Sequence, residues 1–287
     1  MYVISGVSGH TGKIAAETLL AQGKKVRVIV RKAEQGAAWK AKGAEVAVAN
    51  LDDAAALTAA FTGAEGAYVL LPPEPAAPDF LASRAPIIAA IGAAIEKSKL
   101  PHVVLLSSVG AQLPAGTGPI VGLHRAEERL GKTGAATTFV RASYFLENFG
   151  GVLQPAKTDG VLPSFLPANM KHEAVSTRDI GKTVAQALLD GPRGRRVIEL
   201  AGPAPVSATE VAATLTKIFG RPVKVVEAPM SAVVPTFLSF GMSQSMAELY
   251  LEMNEGFASG RIHAEGKGEV IRGTVGLEEG LRELAGA

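Results

Sequence analysis

Three glycines near the amino terminus have the spacing and the setting of a dinucleotide-binding loop. Residues 1–12 read MYVISGVSGHTG, an apolar run followed by Gly-x-x-Gly-x-x-Gly and then by a helical pattern. Glycines in such a loop permit a tight turn and let backbone N–H groups approach a pyrophosphate, which also meets the positive end of the helix. The residues that this motif assigns to the cofactor are Gly6, Ser8, Gly9, His10, Thr11 and Gly12. The alternative is that the glycines only let the strand and the helix pack closely.

A basic pair follows about 20 residues beyond the loop, at the end of the second apolar run. At this position an acidic residue would bind the ribose hydroxyls of NAD, whereas a cation accommodates the 2′-phosphate of NADP. The chain has Arg31 and Lys32 here, and no Asp or Glu stands at the strand end. The sequence therefore predicts NADP(H) in preference to NAD(H). A solvated Arg–Lys pair is the alternative.

Reduction of a carbonyl by a nicotinamide needs a proton donor near the developing alkoxide. Many reductases use a Tyr–Lys pair four residues apart, but no tyrosine of this chain has a lysine at that distance. Instead, His124 lies on a predicted helix ahead of Glu127 and Glu128, whose carboxylates are expected to orient it and raise its pKa. Ser107, at the end of the preceding strand, is expected to support the cofactor or the reaction. A surface histidine in a helix ion pair is the alternative for His124.

The apolar runs that must position these residues alternate with helical stretches. Runs that are apolar at nearly every position, such as 103–106, are typical of parallel strands covered by helices on both faces. The predicted strands of the first half are Tyr2–Ile4, Val26–Val30, Glu45–Val48, Ala67–Leu71, His102–Leu106 and Thr138–Val140. The pattern predicts an α/β fold with a Rossmann-type doubly wound parallel sheet.

Helices and further strands follow from the same patterns. The predicted helices are Gly12–Gln22, Asp53–Phe61 with Asp52 as its cap, Thr177–Leu189, Ala208–Phe219 and Ser243–Phe257. The later strands are predicted at Arg195–Leu200 and Pro222–Val226.

The chain is expected to contain two interleaved domains. Residues 1–150 are predicted to form the cofactor-binding domain, with a returning segment near 171–202. Residues 151–287, where prolines such as Pro163 interrupt short segments, are predicted to form a smaller α+β substrate-binding domain.

A proline-rich stretch follows the fourth predicted strand. The residues from Pro72 to Pro78 include four prolines, so they continue neither a strand nor a helix. They lie at the carboxyl edge, where doubly wound sheets bind their ligands. We therefore predict a loop at the cofactor, with Leu71 and Pro72 in contact with it.

Composition excludes several classes of protein. The 287 residues are 47% hydrophobic and 20% charged, unlike a disordered chain. A net charge of +2 with scattered Lys and Arg does not indicate nucleic acid as a partner. No apolar run has the roughly 18 residues of a membrane span, and no export signal precedes the first strand, so a soluble cytoplasmic protein is expected. Because the chain has no cysteine and no His-Glu-x-x-His pattern, we predict no metal.

Several segments together resemble the NmrA-like family of atypical short-chain dehydrogenase/reductases. They are ISGVSGHTG, VRVIVRK, HVVLLSSVGA, HRAEERLGKTG, TTFVRASYFLENF and VSTRDIGKTVAQALLDG, and they extend over nearly the whole chain. The segment around Tyr144 and Phe145 resembles the part of the family beside the nicotinamide. The helix of His124 resembles that of the bacterial quinone reductase branch.

The resemblance implies an NADP(H)-dependent oxidoreductase with the cofactor between its two domains. It implies a substrate cleft near Phe165, Met170 and residues 237–242, and a quinone or similar conjugated small molecule as the substrate. Some members of the family carry a lysine in place of His124. The absence of this lysine from the chain disfavours their ketone or lignan-type substrates. The alternative is a non-catalytic NADP(H)-binding redox sensor that acts through protein contacts. A homodimer is left open, and a sugar-nucleotide epimerase is disfavoured by the missing Tyr–Lys pair.

Overall fold

The computed structural model describes residues 1–287 and has a central sheet of eight parallel strands. The strands of the chain are β1 (Tyr2–Ile4), β2 (Val26–Val30), β3 (Glu45–Val48), β4 (Gly66–Val69), β5 (His102–Ser108), β6 (Ala136–Ala142), β7 (Tyr144–Phe145), β8 (Val161–Ser164), β9 (Ala174–Val175), β10 (Arg195–Ala201), β11 (Lys224–Glu227) and β12 (Glu269–Arg272). The order in the sheet is β12-β10-β6-β5-β4-β1-β2-β3, and all neighbours are parallel. Two short parallel pairs, β11 with β8 and β7 with β9, lie outside it.

Helices cover both faces of the sheet. They are α1 (His10–Ala21), α2 (Ala37–Ala41), α3 (Ala54–Phe61), α4 (Phe80–Ser98), α5 (Val121–Leu130), α6 (Leu153–Thr158), α7 (Thr177–Leu189), α8 (Ala208–Phe219), α9 (Val233–Ser239), α10 (Gln244–Ala258) and α11 (Leu277–Ala285). On one face α1 packs against α7 over an apolar cluster that includes Ile4 and Val184. On the other face α3, α4 and α5 cover a second cluster that includes Phe61 and Phe139. The doubly wound fold predicted from the apolar runs is confirmed.

Some element boundaries differ from the predicted ones for local reasons. Helices α7 and α8 have the predicted bounds. The N-cap of α3 is Asp53 rather than Asp52, because the Asp53 carboxylate accepts hydrogen bonds from two N–H groups of the first turn. Pro163 lies within β8 instead of interrupting it, since β8 has a partner on one side only and an edge strand tolerates proline.

A smaller unit surrounds a third apolar cluster in the second half of the chain. It contains β8, β11, α6, α8 and α11 around Leu146, Leu162 and Leu215. The main sheet also takes two strands from this half, because β10 pairs with β6 and β12 pairs with β10. β10 lies in the predicted returning segment, whereas β12 is an edge strand that was not predicted. The division into a cofactor domain and a smaller substrate domain stays our interpretation. No helix combines the length and the apolar character needed to cross a bilayer.

His102, at the start of β5, is expected to make folding stability depend on pH. The side chain is 1% exposed, its Nε2 lies 3.0 Å from Thr138 Oγ1, and its Nδ1 has no partner. Burial and the charge of Arg196, against an opposing effect of Asp190, lower the pKa of His102 from 6.5 to about 4. Between these two values the unfolded chain binds a proton that the folded chain does not. Stability should therefore fall by about 3 kcal/mol as the pH drops from 6.5 to 4.

Urea unfolding at pH 7 and pH 4.5 checks this prediction. His102→Gln should remove this part of the pH dependence, because glutamine does not titrate and can still bond Thr138. His263→Gln, at an exposed histidine, is the matched control and should keep it. An equal pH dependence in the wild type and in His102→Gln would contradict the prediction.

Candidate active site

The sheet has its switch point between the ends of β1 and β4, and we refer to this place at its carboxyl edge as the crevice. These two strands are neighbours, and the chain continues from them towards opposite ends of the sheet, which is the arrangement that creates a ligand site in doubly wound folds. The glycine loop follows β1, and Leu71 and Pro72 follow β4, both half-buried. The two segments touch, because a Cβ on Gly6 (φ +67°) would lie 2.6 Å from Leu70 Cδ2.

The amino end of α1 has open backbone donors. Its N-cap is Gly9, no side chain caps it, and its first turn contains no acidic residue. The N–H groups of His10, Thr11 and Gly12 have no acceptor within the protein, and Gly9 is exposed. A Cβ on Gly12 would lie 2.5 Å from the carbonyl oxygens of Ser5 and Gly6, so this glycine serves the close packing of strand and helix. The free N–H groups and the helix dipole fit an anion such as a pyrophosphate.

The side chains of the loop differ in exposure. Ser8 and His10 are exposed. Thr11 is buried, and its hydroxyl lies 2.9 Å from the Tyr68 hydroxyl, with which it forms a hydrogen bond. Burial raises the pKa of Tyr68, which keeps this phenol neutral. The Thr11 hydroxyl thus has a partner within the protein, whereas its N–H group has none.

The basic pair lies at the end of β2, which is next to β1 in the sheet. Arg31 and Lys32 are exposed, and neither side chain forms an ion pair. Their backbone N–H groups each donate to Gln35 Oε1 at 3.1 Å, which fixes the turn after the strand. Two cations without a carboxylate partner thus stand at the edge of the crevice.

Ser107 belongs to a buried ion-pair network. Its hydroxyl donates to Glu127 Oε1 at 2.6 Å, and Glu127 also accepts two hydrogen bonds from Arg141, at 2.9 and 2.7 Å. All three side chains are less than 5% exposed. The Ser107 hydroxyl is therefore committed to Glu127, and both oxygens of Glu127 accept hydrogen bonds from residues other than His124. The expectation that Glu127 orients His124 is wrong, because Arg141 on β6 takes its carboxylate.

His124 is oriented by a backbone group instead. Its Nδ1 lies 2.9 Å from the carbonyl oxygen of Ala111, in the segment after β5. A carbonyl oxygen only accepts, so Nδ1 carries a proton. The Nε2 atom has no partner within the protein, and the side chain is half-buried. Nε2 is therefore the atom of His124 through which a proton can be exchanged with a ligand.

Aromatic side chains cluster beyond the end of β6, in a region that we refer to as the aromatic cleft. Tyr144 contacts the rings of Phe149 and His172, with centroids 5.5 and 5.2 Å apart. Burial, with the nearby Tyr250, raises the pKa of Tyr144 to about 12. Its neighbour Phe145 packs against the cluster shared by α1 and α7 instead. The two neighbours therefore have different surroundings, and their predicted place beside the nicotinamide stays a prediction.

A second group of aromatic rings adjoins Tyr144. Phe237 stacks on Tyr250 at 4.4 Å and also contacts Phe165 and Phe240, at 6.1 and 6.2 Å. The structure therefore brings Phe165 together with Phe237 and Phe240 of the segment 237–242, and adds Tyr250 on α10. Phe240 is 68% exposed, so the group is open to solvent at this end. Flat apolar walls of this kind suit a planar conjugated molecule.

The family comparison and the sequence relatives of this chain agree with each other. The model of the NmrA-like family matches residues 2–270. The NAD(P)H azoreductase of Xenophilus azovorans is 29% identical over 88% of this chain and 85% of its own length. Quinone oxidoreductase 2 of Escherichia coli is 26% identical over 93% of this chain and 91% of its own.

Solved structures share the fold over the full length. The NADPH-dependent quinone oxidoreductase of Escherichia coli, complexed with NADPH, has a TM-score of 0.85 at 24% identity and covers 99% of this chain and 100% of its own. The Citrobacter triphenylmethane reductase, complexed with NADP(H), has a TM-score of 0.82 at 17% identity, with the same coverage.

Proposed function

The chain belongs to the NmrA-like family, and from this premise we propose that it is an NADP(H)-dependent oxidoreductase that reduces a quinone or a similar conjugated small molecule. The observation that carries the proposal is the crevice at the edge of β1, β2 and β4, where uncapped N–H groups of α1 stand near two unpaired cations. The names of the relatives, an azoreductase and a quinone oxidoreductase, support the same class of reaction.

The residues of the crevice fit the two charged parts of NADP(H). The N–H groups of His10, Thr11 and Gly12, which have no acceptor within the protein, would hold the pyrophosphate. Arg31 would hold the 2′-phosphate, and Lys32 would add a second positive charge. Leu71 and Pro72 bound the crevice on the β4 side. The cofactor, when bound, supplies the hydride for the reduction.

The acceptor site is the aromatic cleft. Phe237 and Tyr250, whose rings stack on each other, would form an apolar wall for the acceptor, and Tyr144 lies at the carboxyl end of β6, the part of the cleft nearest the sheet edge. Reduction of a quinone asks little more than this positioning and one proton. The Nε2 atom of His124 can deliver that proton when the imidazole is charged, because Nδ1 stays bonded to Ala111. We assign no catalytic role to Ser107, whose hydroxyl bonds Glu127.

The test is NADPH oxidation against a panel of quinones and azo dyes, with calorimetric titration of NADPH and NADH on the same preparation. We expect turnover with at least one acceptor and tighter binding of NADPH than of NADH. Tight NADPH binding without turnover would instead favour a redox sensor that acts through protein contacts. A homodimer and a cytoplasmic location stay predictions from the sequence.

His124→Ala is expected to lower kcat with quinones at least several-fold, because general acids contribute roughly 10²–10⁴-fold to such steps. The NADPH Kd should not change, since His124 bonds only Ala111. His124→Gln separates the two roles, because glutamine can donate to the Ala111 carbonyl but carries no exchangeable charge. If His124→Gln restores turnover, the role of His124 is structural and the assignment is wrong. His263→Ala is the control, as His263 makes the same kind of bond, to Gly260 at 3.0 Å.

A further inference from the structure

A buried arginine lies beneath the loop that follows β4. Arg84, on the second turn of α4, is 1% exposed. Its guanidinium donates to the carbonyl oxygen of Pro72 and pairs with the carboxylate of Glu74. Ser83 Oγ lies 3.2 Å from Nε and 3.0 Å from Nη2, and the central guanidinium carbon lies 4.8 Å from the centre of the Phe80 ring. A buried charge is tolerated because the loop itself supplies its partners.

Arg84 also contacts the helix of the candidate proton donor. A Cβ on Gly122 of α5 would lie 3.3 Å from Arg84 Cγ, so the absence of a side chain there leaves room for the arginine stem. Gly122 is two residues before His124. Arg84 therefore lies between α5 and the loop from Pro72 to Asp79.

The other end of this loop is tied to the aromatic cleft. The N–H group of Ser243 donates to the carbonyl oxygen of Pro75 at 2.9 Å, and the Phe80 N–H donates to Ser245 Oγ at 3.1 Å. Ser243 caps α10, the helix that carries Tyr250. The loop thus joins the crevice to the cleft, with Arg84 holding its first half.

We propose that Arg84 is a positioning residue for the cofactor, which keeps the start of this loop against the glycine loop before the cofactor binds. The inference rests on the proposed NADP(H) binding. Leu70 packs on Gly6, so a displacement of Pro72 shifts the wall of the crevice where it meets the glycine loop. If the competent position is populated only a tenth of the time without the ion pair, the apparent Kd rises about tenfold.

A substitution of Glu74, the more exposed partner in the ion pair with Arg84, tests the proposal. Glu74 is 44% exposed, so Glu74→Gln changes its charge with little change in packing. We expect this variant to raise the calorimetric Kd of NADPH about tenfold in the absence of any acceptor. Arg84→Lys is the second variant. It retains the charge but loses the fork that bonds Pro72 and Glu74 together, and it should also weaken NADPH.

The matched control is Glu96→Gln. Glu96 is also 44% exposed and pairs with Arg129 of α5 at 2.8 Å, near the other end of α4. Its NADPH Kd should equal that of the wild type. A lower melting temperature with an unchanged Kd in Glu74→Gln would show that Arg84 only supports the fold. If the wild type binds NADPH but reduces no acceptor, the proposed reductase activity is refuted. The comparison of NADPH Kd values between the variants would still test the role of Arg84.

Discussion

Replacing Arg31 by alanine is expected to weaken NADPH binding by about 1.5–3 kcal/mol, roughly ten- to a hundredfold in Kd, with little effect on NADH. The two dinucleotides differ only in the 2′-phosphate, so a selective loss reports the contact between this group and the guanidinium. Arg31 is exposed and its side chain bonds nothing within the protein, so its removal should not destabilise the fold. Calorimetric titration of both dinucleotides measures the difference directly.

Two controls make the result specific. Lys25→Ala removes an exposed, unpaired cation at the other end of the same strand, so it tests whether net charge alone changes binding. Raising the salt concentration should narrow the NADPH preference of the wild type, because an exposed phosphate contact is screened. An equal loss for NADPH and NADH in Arg31→Ala would assign Arg31 to the shared part of the cofactor, and our choice of NADP(H) would lose its basis.

The part of the fold that hydropathy determines could be predicted well. β1, β2, β4, β5 and β6 are buried on both faces or nearly so, and continuous apolar runs of that kind have few alternative structures. β12 was missed because Glu269–Arg272 is a short edge strand with charged ends and an exposed Val270. Only pairing with β10 makes it a strand, and a local pattern does not contain that information.

The candidate site was predicted where backbone geometry decides it and missed where distant side chains meet. The glycine loop and Arg31 follow from spacing along one βαβ unit. The partner of Glu127 could not be predicted in this way, because the helical spacing between Glu127 and His124 contains no information about which residue of the sheet faces the helix. One signal was available: Arg84 and Arg141 are charged residues at positions where the surrounding pattern predicts burial. Such a residue needs a partner, and in both cases the partner is a glutamate from another element.

Glu127→Gln is expected to cost about 3–5 kcal/mol of folding stability, because it removes the main counter-charge of a buried guanidinium. Arg141 is 4% exposed and Glu127 is 3% exposed, so water does not replace the lost partner. For a domain of this size the melting temperature should fall by roughly 10 °C. Thermal and urea unfolding measure the loss.

The control variant changes Glu265, the more exposed of the two glutamates that pair with Arg141. Glu265 accepts from Arg141 Nη1 at 2.7 Å but is 28% exposed, so Glu265→Gln should cost about 1 kcal/mol or less. Equal losses for the two variants would show that burial does not decide the strength of this pair. The double variant Glu127→Met with Arg141→Met removes both charges, and it should be more stable than Glu127→Gln.

The same pair links stability to the active site. Glu127 is about one helical turn from His124 on α5. Glu127 also accepts a hydrogen bond from the hydroxyl of Ser107, which lies at the end of β5, the strand that leads to Ala111. The ion pair between Glu127 and Arg141 is therefore connected both to the helix of His124 and to the segment that carries the Ala111 carbonyl. A folded Glu127→Gln protein should turn over quinones more slowly at an unchanged NADPH Kd, whereas Glu265→Gln should not. This result would assign Glu127 to positioning the proposed proton donor through the core, which is a different role from the direct contact that helical spacing suggested.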